Sequence, residues 1–162
     1  MDARDVFFEA LYERIKNDSL AFLITVDMGA FAMTKIEKDF PRQFLNIGVR
    51  EPLAMSFAAG MALEGHYPFV YGITSFLVRR AYEQIYIDIG LHNLPVTIVS
   101  TGFGKTYVND GPTHQCEEDM DLMSHIPNME TVHPQSADSL RSWALQAVSH
   151  PVYMRLPKGE VS

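Results

Sequence analysis

Short apolar runs rich in β-branched residues alternate with longer amphipathic stretches from one end of the chain to the other, the pattern of a parallel α/β sheet. Phe7, Leu11 and Ile15 recur at i, i+4 and i+8, which predicts a helix over residues 5–16 with one apolar stripe. Residues 20–26 are nearly continuous in apolar character, as a strand covered on both faces would be. A mixed stretch closed by Pro41 leads to a second short strand at 44–47, broken by Gly48. Residues 51–64 are strong helix formers, with Pro52 in the first turn and Gly65 just past the end. Ala58, Ala59, Gly60 and Ala62 leave little side chain on the packing face of this helix, so it is expected to lie close to a neighbour. A third strand follows at 68–72, a long helix at 75–91 and a fourth strand at 95–99. The remainder predicts a helix over 117–124, a strand over 129–132, a helix over 139–149 capped by Ser136 or Asp138, and a last strand over 152–156. Together these elements predict an α/β fold of three layers, α/β/α, with a mostly parallel sheet of about six strands. Residues 1–162 read as a single domain with no internal repeat or low-complexity linker.

Composition and charge narrow the partners. With 47% hydrophobic residues in 162, the chain can bury one good core and is too short for two. The net charge of −7 is spread along the chain, and without a basic stripe nucleic acid is not an expected partner. No apolar run approaches the roughly 20 residues that span a bilayer. Asp2-Ala3-Arg4-Asp5 lacks the features of a signal peptide, so no membrane association and a cytoplasmic location are expected. The single cysteine, Cys116, can form neither an intrachain disulfide nor a thiolate zinc site alone, and reads as a small buried thiol. His66, His92, His125, His133 and His150 show no ligand spacing, so no metal site is expected within this chain.

Glu51 stands where a strand end meets a helix start. Ligands of open parallel sheets bind at the carboxyl ends of strands, so a working carboxylate belongs there; an acidic residue stabilised by the helix dipole belongs there equally. The 13 residues from Thr101 to Thr113 carry four glycines or prolines and no helical period, and a loop of that length in a compact domain usually serves function. Within it, Asn109-Asp110-Gly111-Pro112 is also a common turn sequence. His114 follows this loop, where an imidazole can reach a crevice as donor or proton carrier. Gly104-Lys105-Thr106 imitates part of a phosphate-binding loop, but the motif needs a glycine at the position of Val99, and the nucleotide reading is set aside. Phe76, Tyr82 and Tyr86 fall near one face of the 75–91 helix, as core residues do.

Four segments, taken together and in this order, are similar to the pyrimidine-binding domain of transketolase-like enzymes that depend on thiamine diphosphate. Asn46-Ile47-Gly48-Val49-Arg50-Glu51 resembles the segment presenting the cofactor-activating glutamate. Ser75-Phe76-Leu77, with Tyr82 six residues after Phe76, resembles the segment that packs an aromatic ring on the aminopyrimidine. Asp110-Gly111-Pro112-Thr113-His114-Gln115 is similar to the substrate-channel loop, and Ile126-Pro127-Asn128-Met129 with Arg155-Leu156-Pro157-Lys158-Gly159 to later landmarks. The resemblance implies the thiamine-diphosphate-binding fold, with Glu51 hydrogen-bonded to N1′ of the aminopyrimidine, Phe76 stacked on the ring, and Tyr82 and Asp27 also at the cofactor. It places Asp110, His114 and Lys158 at the substrate, with Glu51 and His114 catalytic. A carboxylate suits the task, because a proton shared with N1′ favours the imino tautomer whose nitrogen deprotonates thiazolium C2. Glu51 must therefore hold a proton part of the time.

Departures from the family pattern set further expectations. Arg79 stands where transketolases often carry a second aromatic residue, and Arg79-Arg80-Ala81-Tyr82-Glu83-Gln84 is closer to deoxyxylulose-phosphate synthases and two-subunit transketolases. The chain holds no Gly-Asp-Gly segment of the kind that binds magnesium and diphosphate in the family. The expected protein is therefore one subunit of a split, oligomeric transketolase, with Mg2+ and diphosphate held by a partner chain and a sugar as substrate, or else a fragment of a longer transketolase-like protein. The alternatives are a subunit of a decarboxylating synthase that condenses pyruvate with an aldehyde, and a non-catalytic scaffold of the same fold.

Overall fold

Residues 1–162 are described by a computed structural model. Its strands are β1 (Ala21–Thr25), β2 (Phe44–Asn46), β3 (Tyr67–Ile73), β4 (Thr97–Thr101), β5 (Glu130–Val132) and β6 (Val152–Leu156). All pair in parallel in one sheet, in the order β2-β1-β3-β4-β6-β5. The helices are α1 (Ala3–Asn17), α2 (Met33–Asp39), α3 (Glu51–Leu63), α4 (Tyr82–Gln84), α5 (Asp119–Ser124) and α6 (Ala137–Leu145).

The strands are apolar throughout because both faces of the sheet are covered. Side chains alternate across the pleat. Ala21 and Leu23 of β1 thus join one core with α1, α2 and α6, through residues such as Phe7, Leu11, Ile36 and Leu140. Ile24 joins the opposite core with Ala54, Ala58, Ile85, Ile89 and Met123, from α3 and the helical segments that follow. The predicted three-layer arrangement is therefore observed, and no helix is long and apolar enough to cross a membrane.

Four local readings differ from the structure. Helix α2 was hidden in the mixed stretch because only Met33 and Ile36 of its residues are buried, too few to establish a period. Strand β4 begins at Thr97, not at Pro95: proline has no N–H to give the ladder, and the Val96 N–H donates to Leu94 O at 2.8 Å. The helix capped by Ser136, whose hydroxyl accepts from the Ser139 N–H at 3.3 Å, starts at Ala137 and ends at Leu145, where Gln146 turns extended with ψ of 144°. Gly60 is exposed and lies off the packing face of α3, which is built from Ala54, Met55, Ala58, Ala59 and Ala62.

The predicted helix over 75–91 is a π turn at Phe76–Arg80, the short α4, and a second π turn at Ile85–Gly90. At its end Gly90 permits close approach. A Cβ there would lie 2.4 Å from Ile126 Cγ2 and 3.0 Å from the Pro127 carbonyl oxygen. Gly90→Ala is expected to destabilise the chain by about 1–3 kcal/mol, the usual cost of overpacking. Equilibrium denaturation of the variant against the parent chain measures it.

Candidate functional site

From β1 the chain runs outward to β2 and returns to place β3 on the other side of β1. The connections leaving β1 and β3 therefore diverge, which makes the crevice at their carboxyl ends the topological switch point of the sheet. A pocket of about 100 Å³ lies there. It is lined by Val26, Asp27 and Met28 after β1, Val49 and Glu51 after β2, Ile73 at the end of β3 and Phe76 after it.

Glu51 is the first residue of α3 and only 1% exposed. Both of its carboxylate oxygens accept hydrogen bonds from Arg80 Nη1, each at 2.8 Å. The Arg80 guanidinium carbon lies 4.4 Å from the centroid of the Phe76 ring, so the same flat cation meets the carboxylate and the aromatic face. Asp27 adopts a positive φ of 61°; its backbone N–H donates to Asn46 Oδ1 at 3.1 Å, and its exposed carboxylate accepts from Asn46 Nδ2 at 3.4 Å.

The loop after β4 is held against this crevice. Ser75 Oγ donates to the Thr113 carbonyl at 2.8 Å, and Arg79 donates to the Gln115 carbonyl at 2.9 Å and to Glu118. Gly104 and Cys116 exchange backbone hydrogen bonds of 2.5 and 3.0 Å across its base. Gly102, at φ of +78°, accommodates Tyr107, whose Cε2 would lie 2.0 Å from any Cβ there. These ties bring His114 edge-on to Phe76 at 4.8 Å between centroids and 6.2 Å from Tyr107, with Lys158 Nζ 4.4 Å from the Tyr107 ring. Asp110 is exposed on a 3-10 turn, Val108–Asp110.

Of the residues singled out from sequence, Asp27, Glu51 and Phe76 share the pocket, while His114 and Lys158 continue from Phe76 along the loop. Tyr82 does not line the pocket. Its hydroxyl donates to the Leu122 carbonyl at 3.0 Å, and its ring packs on the core beneath α3. Tyr86 is exposed and does not belong to the core. No group of His, Cys, Asp or Glu side chains is placed to hold a metal ion. Cys116 is buried, and burial pushes its thiol up to about 11.

Sequence reasoning gave no role to Arg79 or Arg80. The available signal was spacing: a residue four positions after Phe76 on a helical turn comes back over the ring. It also overlooked an inner polar network at the ends of β4 and β6. Asp119, fully buried, accepts from Tyr153 OH at 2.6 Å and from Arg155 Nε at 3.0 Å. Burial, reinforced by Asp119, raises the Tyr153 phenol well above its ordinary range. The Arg155 guanidinium carbon lies 4.5 Å from the centre of Phe103, which packs edge-on against His133. Burial, aided by Arg155, lowers the His133 imidazole.

The family described as "Transketolase, pyrimidine binding domain" matches residues 1–162. The chain belongs to that family. Transketolase-type pyrimidine-binding domains serve enzymes that depend on thiamine diphosphate. Among curated relatives, 1-deoxy-D-xylulose-5-phosphate synthase 1 of Geobacter metallireducens is 34% identical over 157 residues, which is 95% of this chain and 25% of that protein. The corresponding synthase of Corynebacterium glutamicum is 35% identical over 149 residues, covering 90% of this chain and 23% of that protein. The chain thus spans about a quarter of the length of these relatives. Among solved structures, a split-gene transketolase described as an inactive beta4 tetramer superposes with a TM-score of 0.88 at 30% identity, over 100% of this chain and 53% of that one. The transketolase of Campylobacter jejuni gives 0.86 at 22% identity, over 100% of this chain and 26% of that one, a likeness of fold.

In this transketolase-type domain the Asp119 network fixes the strand ends from which the loop departs. Asp119→Ala strands the Arg155 charge, while the Tyr153 hydroxyl keeps its hydrogen bond with Ser100 Oγ at 2.7 Å, and is expected to cost about 3–5 kcal/mol. Tyr153→Phe, which removes one donor and leaves the ion pair, is expected to cost about 1 kcal/mol. Urea denaturation of both variants gives the two values.

Proposed function

We propose that this chain is the pyrimidine-binding part of a thiamine-diphosphate-dependent transferase, in which it activates the cofactor for transfer of a two-carbon ketol unit from a sugar. The single observation that carries the reading is the pairing of a carboxylate, buried to 1% exposure at the head of α3, with the Phe76 ring in one pocket at the sheet's switch point. The residues present fit the pyrimidine end of that cofactor. A flat, N–H-bearing guanidinium already satisfies Glu51 and stacks on Phe76, so the contacts suit a planar nitrogenous ring.

When bound, thiamine diphosphate supplies an acidic carbon whose carbanion attacks carbonyl groups. Glu51 holds or shares a proton at N1′, Phe76 orients the ring, and the apolar side chains of Val26, Val49 and Ile73 exclude water around the carboxylate. His114 and Lys158, ranged along the loop from Phe76, supply donors to the oxygens of a sugar, and exposed Asp110 supplies an acceptor for its hydroxyls.

Diphosphate and Mg2+ are assigned to residues outside these 162, which include no Gly-Asp-Gly segment and no cluster that could hold a metal. The outer face of α3 supports a partner: Leu53 and Phe57 are exposed there, next to exposed Ile87 and Leu91. A hetero-oligomer of cytoplasmic subunits is the assembly this implies. The identity to the two synthases favours a second reading, in which pyruvate is the donor and is decarboxylated.

Glu51→Gln keeps size and one acceptor but removes the carboxylate. In the assembled enzyme it is expected to lower exchange of the cofactor's C2 proton, and turnover with it, by about 10²- to 10⁴-fold, with the fold unchanged by circular dichroism. Exchange at the parent rate overturns the assignment. Assaying ketose against pyruvate as donor with the parent enzyme decides between the two reactions.

A further inference from the structure

Resting on that reading of the site, we propose that Arg80 is a built-in competitor for the pyrimidine slot: without cofactor its guanidinium makes the contacts of a planar nitrogenous ring with Glu51 and Phe76, and the ligand enters by displacing it. The two neighbouring arginines differ in a way that makes this possible. Arg79 is anchored twice, to Glu118 and to the Gln115 carbonyl, and so belongs to the scaffold of the loop. Arg80 has no hydrogen-bond partner other than Glu51, and its only other charged or aromatic contact is the Phe76 ring. Its side chain remains 44% exposed, so a guanidinium leaving the slot passes directly into water and regains hydration.

Competition follows from chemistry as well as position. An ionised carboxylate accepting two hydrogen bonds from a cation has no proton to share with a ring nitrogen, so the Arg80-bound state is inactive by construction. A ligand that binds only the open state has its affinity reduced by the fraction of chains in which the slot is open. Removing Arg80 removes that penalty. It also leaves a carboxylate buried without a counter-charge, so the variant is expected to be less stable and to recover stability when a small planar cation fills the gap.

The experiment uses the chain alone with 4-amino-2-methylpyrimidine as probe, followed by NMR titration. Arg80→Ala is expected to bind the probe about tenfold more tightly than the parent chain, and Arg80→Ala/Glu51→Gln to lose the gain. A few millimolar guanidinium is expected to raise the melting temperature of Arg80→Ala and not that of the parent. Equal or weaker probe binding by folded Arg80→Ala overturns the proposal. Should that variant not fold, Arg80→Gln takes its place, and the Arg80 Nε–H resonance of the parent chain gives a second reading: saturating probe is expected to move it to the position of a free guanidinium, and an unmoved resonance refutes displacement. Failure here is distinguishable from failure of the functional reading. An active Glu51→Gln enzyme sinks the latter whatever Arg80 does, whereas an inactive one combined with no gain in Arg80→Ala sinks only the competitor.

Discussion

A carboxylate taken out of water must be matched by charge and hydrogen bonds, or it costs several kcal/mol. Glu51 meets that demand in two ways: the first turn of α3 offers the positive end of its dipole, and Arg80 donates to both oxygens. The surrounding contacts follow from this arrangement. Arg80 reaches Glu51 across the Phe76 ring, Phe76 packs edge-to-face with His114, and His114 is held by a loop that Ser75 and Arg79 tie to the same turn. One buried charge thus links the ends of three strands through side chains from one helical turn and one loop.

Successive side chains on a helical turn point in widely separated directions, so Arg79 faces Glu118 and the loop while Arg80 faces α3. π turns are uncommon and occur often at functional sites. A second ion pair, Asp119 with Arg155, stands next to the first in the chain, with Tyr153 of β6 on the same carboxylate. The carboxyl-terminal end of the loop is therefore held by half-buried and buried charge, and Tyr107 seats over Gly102 near its start.

The sheet was legible because its strands are buried on both faces and therefore continuously apolar: β1, β3 and β6 could be placed to within a residue or two. The head of α3 was legible from Pro52 and from Gly48, which ends the preceding strand. Helix α2 was not, since seven residues with two buried positions carry no period. The pocket could be anticipated in part, because Glu51 sits at a strand end where ligands bind and His114 follows the long loop, and motif resemblance added Phe76. The spacing of Arg80, four positions after Phe76, was enough to bring it over the ring, but nothing in the pattern says that it also reaches Glu51. Tyr82 was drawn toward the cofactor by motif spacing, yet its hydroxyl is engaged with Leu122.

The size of the pocket bears on how much of a site one chain can supply. Pockets that enclose a drug-sized ligand have volumes of about 300–1,000 Å³. The space that Glu51 and Phe76 share is about 100 Å³, room for a single ring and little more, and a second, more open space of about 330 Å³ borders Phe76 between Ser75, Arg79, Arg80 and Thr113. On the proposed reading, the remaining walls and the neutralisation of the diphosphate come from residues outside these 162. The geometry of α3 connects these two requirements. Its first residue is the buried Glu51, and within its first two turns Leu53 and Phe57 present an uncovered apolar face. A partner that seats on that face buries its leucine and phenylalanine against the same helix that carries the carboxylate, so the contact holding the assembly and the reacting group share one rigid element.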